Sequence, residues 1–102
     1  MATGLTQPFR PAGTAMAAAT TTSTNIPLAG SGQALLVYNS TTAIAFFRLG
    51  RASALSASVA DTPVPPGGRM LVDAGPFVTN AAVLLSAGTG NVYFTLGDGD
   101  AY

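Results

Sequence analysis

The chain is 102 residues long and sets four arginines against four aspartates, with 8% charged residues and no cysteine or histidine. That composition excludes a disulfide scaffold and thiol chemistry. The arginines (Arg10, Arg48, Arg51, Arg69) are scattered along the chain and make no phosphate-binding patch, so nucleic acid is not an expected partner.

No apolar run approaches the roughly 18 residues that would suggest a membrane-crossing helix, so no membrane partner is expected. The length suits one domain, and such a chain buries roughly two thirds of its unfolded surface without needing a metal. Charge content is far below the roughly 25% of an ordinary soluble domain, and lysine and glutamate are absent as well. The surface must therefore consist mainly of Ser, Thr, Ala, Gly and Pro. Low, balanced charge weakens repulsion between molecules and favours association. Residues 15–19 are too weakly apolar for a secretory leader, so the expectation is a soluble, unprocessed chain.

Residues 1–13 hold Gly4, Pro8, Pro11 and Gly13. Proline fixes φ and removes a donor, so this stretch is read as an extended N-terminal arm, with the domain proper at 14–102. Residues 14–24 begin with an alanine run and end with threonines. The β-branched threonines oppose a helix, and the segment is read as a strand. Residues 34–38 form the next strand, closed by a turn at Asn39, Ser40 and Thr41. In 43–49, Ala43, Ala45, Phe47 and Leu49 alternate with Ile44, Phe46 and Arg48. The two-residue period predicts a strand, and apolar residues on both faces predict that both are covered.

A weaker segment spans 54–60. Pro63-Val64-Pro65-Pro66-Gly67-Gly68 then breaks the pattern. Residues 69–74 read as a short strand ended by Gly75-Pro76. Residues 81–87 and 92–96 read as a hairpin joined through Gly88-Thr89-Gly90-Asn91. In the last strand Val92, Phe94 and Leu96 face one way, Tyr93 and Thr95 the other. Short strands with turn signals every 8–12 residues predict an all-β fold, a single small β-sandwich or jelly-roll-like barrel.

The residues offer little chemistry. Without His or Lys no serine has an activating base, and without Glu the acid–base groups reduce to four aspartates with no suggestive spacing. The expectation is no enzyme and no cofactor. Gly97-Asp98-Gly99-Asp100 supplies two carboxylates, fewer than a Ca²⁺ site needs, and reads as a solvated tail. Asn39-Ser40-Thr41 matches a glycosylation acceptor, but a turn role accounts for it. Tyr38, Phe46, Phe47, Phe77, Tyr93 and Phe94 are read chiefly as core, with a sugar- or ligand-binding face as the competing use. Contact with other proteins is expected through Phe9, Arg10 and Pro11 on the arm and through Pro65 and Pro66 in the proline loop. Arg48, Arg51 and the terminal Tyr102 are further interface candidates, with Arg48, Arg51 and Asp61 open to intersubunit ion pairing.

Four stretches carry a resemblance: Val37-Tyr38-Asn39-Ser40-Thr41, Ala45-Phe46-Phe47-Arg48-Leu49-Gly50, Pro63-Val64-Pro65-Pro66-Gly67, and the closing run from Ala87 to Gly99. Over about two thirds of its length, residues 35–99, the chain resembles small virion structural proteins of tailed bacteriophages. The resemblance implies a β-sandwich or jelly-roll-like protein of the phage particle. It points first to a capsid decoration (cement) protein, a homo-oligomer with trimers favoured, bound to the major capsid protein or other virion proteins. A tail, baseplate or head-fibre component is the alternative. The implied location is the virion, with the head surface favoured, after synthesis in the host cytoplasm. No functional residue transfers with the resemblance. A carbohydrate- or cell-surface-binding sandwich remains a third reading.

Overall fold

A computed structural model describes residues 9–30, 32–51, 55–73 and 78–99. Eight strands run in chain order: β1 Arg10–Ala19, β2 Thr24–Pro27, β3 Ala34–Asn39, β4 Ala45–Gly50, β5 Thr62–Val64, β6 Arg69–Asp73, β7 Asn80–Leu85 and β8 Gly90–Asp98. They form two four-stranded antiparallel sheets, in the orders β1-β8-β3-β6 and β2-β7-β4-β5. The pairs β1–β8, β2–β7, β3–β6 and β4–β5 are all antiparallel. The chain therefore behaves as one long hairpin, β1 to β4 outward and β5 to β8 back, rolled so that successive pairs fall in alternate sheets. This is jelly-roll topology, and it fulfils the expectation of an all-β sandwich. No helix in the described residues is long and apolar enough to cross a membrane.

The core lies between the sheets. Ala17, Ala19, Leu35, Val37, Val92, Phe94 and Leu96 come from the first sheet, and Ala45, Phe47, Val64, Ala81, Val83 and Leu85 from the second. Alternation along each strand sends these inward and their neighbours outward. Phe47 meets Phe94 edge-on across the sandwich at 6.3 Å between ring centres. Such a pair adds about 1 kcal/mol beyond the area it buries.

Several expectations need correction. The segment 81–96 is not a hairpin: β7 pairs with β2 and β4, and β8 with β1 and β3. Every residue of 81–85 is buried. Ala81, Val83 and Leu85 enter the core, while Ala82 and Leu84 lie under a second apolar cluster. A strand covered on both faces and paired on both edges has no edge left for β8. Residues 86–89 instead cross between the sheets, a gap of roughly 10 Å that four extended residues can span at about 3.3 Å each.

The 14–24 strand is also divided. β1 ends at Ala19 and the threonines 20–22 form the connection to β2. β5 includes Pro63, within the stretch read as a breaker. It is tolerated because β5 is an edge strand, where a missing N–H costs no ladder bond.

The arm boundary moves too. Residues 1–8 lie outside the described residues, but β1 begins at Arg10 and sets Arg10 opposite Asp98 and Pro11 opposite Gly97, with a register shift before Gly13 pairs with Leu96. At that shift Gly13 lies against Ala29 and Gly30 so closely that a Cβ would come within 2.9 Å of their backbone. Residues 10–13 are therefore part of the sandwich and not of an arm. Deleting residues 1–13 is expected to cost about 2 kcal/mol, a fall of roughly 10 °C in Tm. Thermal denaturation followed by circular dichroism checks this; an unchanged Tm would show that the start of β1 adds nothing to stability.

Candidate functional site

The two outer faces of the sandwich differ. On the second sheet, the β4–β5 connection folds back over the strands. Leu55 and Ala57 pack on Phe46, Ala82 and Leu84. The Asn25 side-chain amide donates to the Leu55 carbonyl at 3.0 Å, and the Ala57 N–H donates to the Ser23 hydroxyl at 2.8 Å. Arg48 closes the flap. Its guanidinium binds Asp61 at 2.9 Å, and the other Asp61 oxygen accepts the Ser58 N–H at 2.7 Å. The pair is half exposed on the arginine side and contributes about 0–1 kcal/mol. The flap covers Phe46 on the outer face of β4, but Arg48 on that face stays half exposed and Ile44, just before the strand, is exposed, so the expectation that both faces are covered holds only in part. Arg48 and Asp61, considered for intersubunit pairing, are joined within the chain.

The outer face of the first sheet carries no such flap from that connection. Register places its side chains in rows. One row runs Met16, Tyr93, Tyr38, Arg69 across β1, β8, β3 and β6; the next runs Thr14, Thr95, Leu36, Leu71. Met16 is 52% exposed and Tyr38 40%. The Tyr38 and Tyr93 rings stack, with centres 6.1 Å apart and planes 21° apart. Thr14 and Thr95 share a hydrogen bond of 2.9 Å between their hydroxyls. Within these rows the only charge is Arg69, at the β6 edge, and Asp73 lies one row further along that strand, so the middle of the face is an apolar and aromatic surface with small hydroxyls.

Six aromatics were expected chiefly in the core. Phe47 and Phe94 are there, Phe46 lies under the flap, and Phe77 is outside the described residues. Tyr38 and Tyr93 occupy the open face instead. Their pairing is illegible in the sequence because it depends on the register of strands 55 residues apart.

The expected contact regions do not come together. Phe9 is half-buried, and Pro11 is exposed at the end of the first sheet where β1 begins and β8 ends. Pro65 and Pro66 are exposed in the turn before β6, at the opposite end of that sheet. Arg51 is exposed directly after β4. Tyr102 lies outside the described residues.

An open cleft of about 420 Å³ lies at the β1-start end of the first sheet, with Gln33, Leu71, Asp73 and Asp98 on its walls. One Asp98 oxygen accepts the Gln33 N–H at 3.3 Å. No group of three or more metal-ligating side chains occurs among the described residues; Asp100, the other half of the Gly97–Asp100 carboxylate pair, is outside them.

Asn39, matched by its sequence to a glycosylation acceptor, is fully buried. Its amide nitrogen donates to the carbonyls of Ala43 at 2.8 Å, Val64 at 3.0 Å and Pro65 at 3.3 Å. Its amide oxygen accepts the Thr41 N–H at 3.0 Å and the Thr41 hydroxyl at 2.6 Å. This side chain ties the end of β3 to β5 in the facing sheet, which extends the turn role expected of it.

Comparison with known protein families, with characterised proteins and with solved structures returned no match.

Proposed function

We propose that this chain is a non-enzymatic virion structural protein that acts by docking on other proteins, as a capsid decoration (cement) protein on a phage head. The observation that carries this reading is the unequal treatment of the two outer faces. The chain covers the second sheet with its own Leu55–Ala57 flap and leaves the Met16–Tyr93–Tyr38 row of the first open. A flat face rich in apolar and aromatic groups and poor in charge suits the centre of a protein interface. Low charge over the whole chain lets it approach a neighbour at little desolvation cost. Jelly rolls occur in viral capsid proteins and in lectins alike, so the fold permits this function without selecting it. On a shell, many modest contacts act together through high effective concentration.

Immunogold electron microscopy of intact particles, with antibody to this chain, tests the proposal. Label over the head is the expected result. Label on the tail would move the protein to the tail, baseplate or fibre alternative, and particles without label would overturn the virion reading.

One observation favours a second reading. The stacked Tyr38–Tyr93 pair, with Thr95 in the adjoining row, is an aromatic platform with polar neighbours of the kind that holds a sugar ring. A glycan array probed with the folded protein decides this; an array without hits removes it.

A further inference from the structure

The four edge strands of the sandwich are not guarded alike. β2 is four residues long and ends on Pro27, β5 is three residues long and contains Pro63, and β6 carries Arg69 and Asp73. Short length, proline and charge all discourage an edge from pairing with another chain. β1 is ten residues long, and Pro11 and the register shift before Gly13 blunt only its start. From Thr14 to Ala19 it has no proline and no charge.

The outward groups of β1 can be read from the ladder. The Ser40 N–H donates to the Asn91 carbonyl at 3.3 Å, on the β8 side of β3, and the Asn39 N–H donates to the Gly68 carbonyl on the β6 side. Hydrogen-bonded levels alternate along an antiparallel pair. Tyr93 and Thr95 therefore bond toward β3, while Val92 and Phe94 bond toward β1, where Ala17 and Ala15 face them. Thr14, Met16 and Ala18 direct their N–H and C=O groups away from β8. The hydroxyl bond between Thr14 and Thr95 agrees with this, because side chains come closest at an unbonded level. Among the described residues, no strand pairs with β1 on its outward side.

The strand also fits a second copy of itself. Its regular stretch after the register shift is Gly13–Ala19, and Met16 is the midpoint. Laid antiparallel with a twofold axis at Met16, it sets Met16 opposite Met16, Ala15 opposite Ala17, Thr14 opposite Ala18 and Gly13 opposite Ala19. Thr14, Met16 and Ala18 then all fall at bonded levels. Moving the axis toward the start of β1 brings in the irregular residues before Gly13, and moving it the other way runs past the end of the strand. Met16 is 52% exposed and ends the Met16–Tyr93–Tyr38 row at this edge. The twofold covers each methionine with the other and carries the row from one copy into the next. The side chains that meet on the inner face of the junction are alanines, which leave room for close approach. Zero net charge sets no repulsion between the copies.

We propose that the chain forms a twofold dimer through β1, joining the first sheets of two copies into one continuous sheet. The contact is isologous, as closed twofold assemblies are. It merges the two open rows into a single bivalent docking face. The argument does not depend on the virion reading, and it differs from the trimer that the sequence resemblance implies, because a twofold edge contact closes at two copies.

Sedimentation equilibrium of the full chain tests it. The expected result is a dimer. Met16→Lys and Met16→Glu each set like charges across the axis and should weaken self-association by about tenfold or more. An equimolar mixture of the two variants sets lysine opposite glutamate and should regain association, a rescue that requires the Met16 position to face itself. Met16 is exposed in the free chain, so both variants should keep Tm within a few degrees of wild type. A wild-type monomer or trimer, a dimer indifferent to both substitutions, or a mixture that stays monomeric would overturn the proposal.

Discussion

Replacing Asn39 by aspartate is expected to cost about 4 kcal/mol, a fall of roughly 20 °C in Tm, although it exchanges one amide nitrogen for an oxygen. The side chain is fully buried, and its NH₂ serves the Ala43, Val64 and Pro65 carbonyls together. Aspartate would turn an acceptor toward three acceptors. If ionised, it is a buried charge facing carbonyl dipoles of the wrong sign. If protonated, it serves at most one of the three. Burial raises the folded-state pKa of such a carboxyl above its unfolded value of about 3.9. The folded variant then binds protons more readily than the unfolded chain, so its stability falls as pH rises through that window. The deficit should be full at neutral pH and shrink as pH drops toward the unfolded value. An Asn39→Ala control also loses the donors but gains no titrating group, and its deficit should not follow pH in this way. Denaturant unfolding of both variants at several pH values checks the prediction. Equal pH dependence for the two would show that the carboxyl escapes burial.

The turn role of Asn39 was legible in the sequence, since an asparagine followed by serine and threonine after an apolar run reads as a turn. Its bonds to Val64 and Pro65 were not, because they join residues 25 and 26 positions away in the facing sheet. The same division holds for the fold. Alternation located β4 and β8, and short runs bounded by turn residues located β3 and β6, to within a residue or two, because these signals are written locally. β2 and β5 are four and three residues long and each contains a proline. They are strands only because β7 and β4 offer them an edge, and nothing in their own residues says so. The misread pairing of β7 with β8 has the same origin. A glycine-rich link between apolar runs signals a turn but not which sheet the chain enters after it. At the open face, the outward direction of Tyr93 and Thr95 was readable from Val92 and Phe94. That Tyr38 stacks on Tyr93, and that Met16 continues the row, required the registers of three strands drawn from both ends of the chain.

On the proposed decoration function, that row is where docking is expected to fail. Met16→Asp and Tyr38→Lys should each weaken binding to the capsid by about a hundredfold or more, because an unpaired charge buried at an interface costs on the order of 3 kcal/mol. Both positions are substantially exposed in the free protein, and exposed substitutions usually move stability by about 0.5 kcal/mol or less. Tm should therefore stay within a few degrees while binding to expanded heads is lost. Thr14 separates the two uses of the face. It lies two strands from Tyr38 and one row away, which at about 4.8 Å between strands and 3.4 Å per residue is roughly 12 Å. A protein footprint of about 800 Å² reaches that far; a single sugar ring on the tyrosines does not. Thr14→Asp should thus abolish capsid docking while weakening a glycan only through the Thr95 hydroxyl it bonds, whereas Tyr38→Ala, which removes the stacking ring, should abolish glycan binding. Capsid binding that survives Met16→Asp, Thr14→Asp and Tyr38→Lys together would move the docking surface off the first sheet, and loss of binding that tracks loss of Tm would mark these side chains as structural.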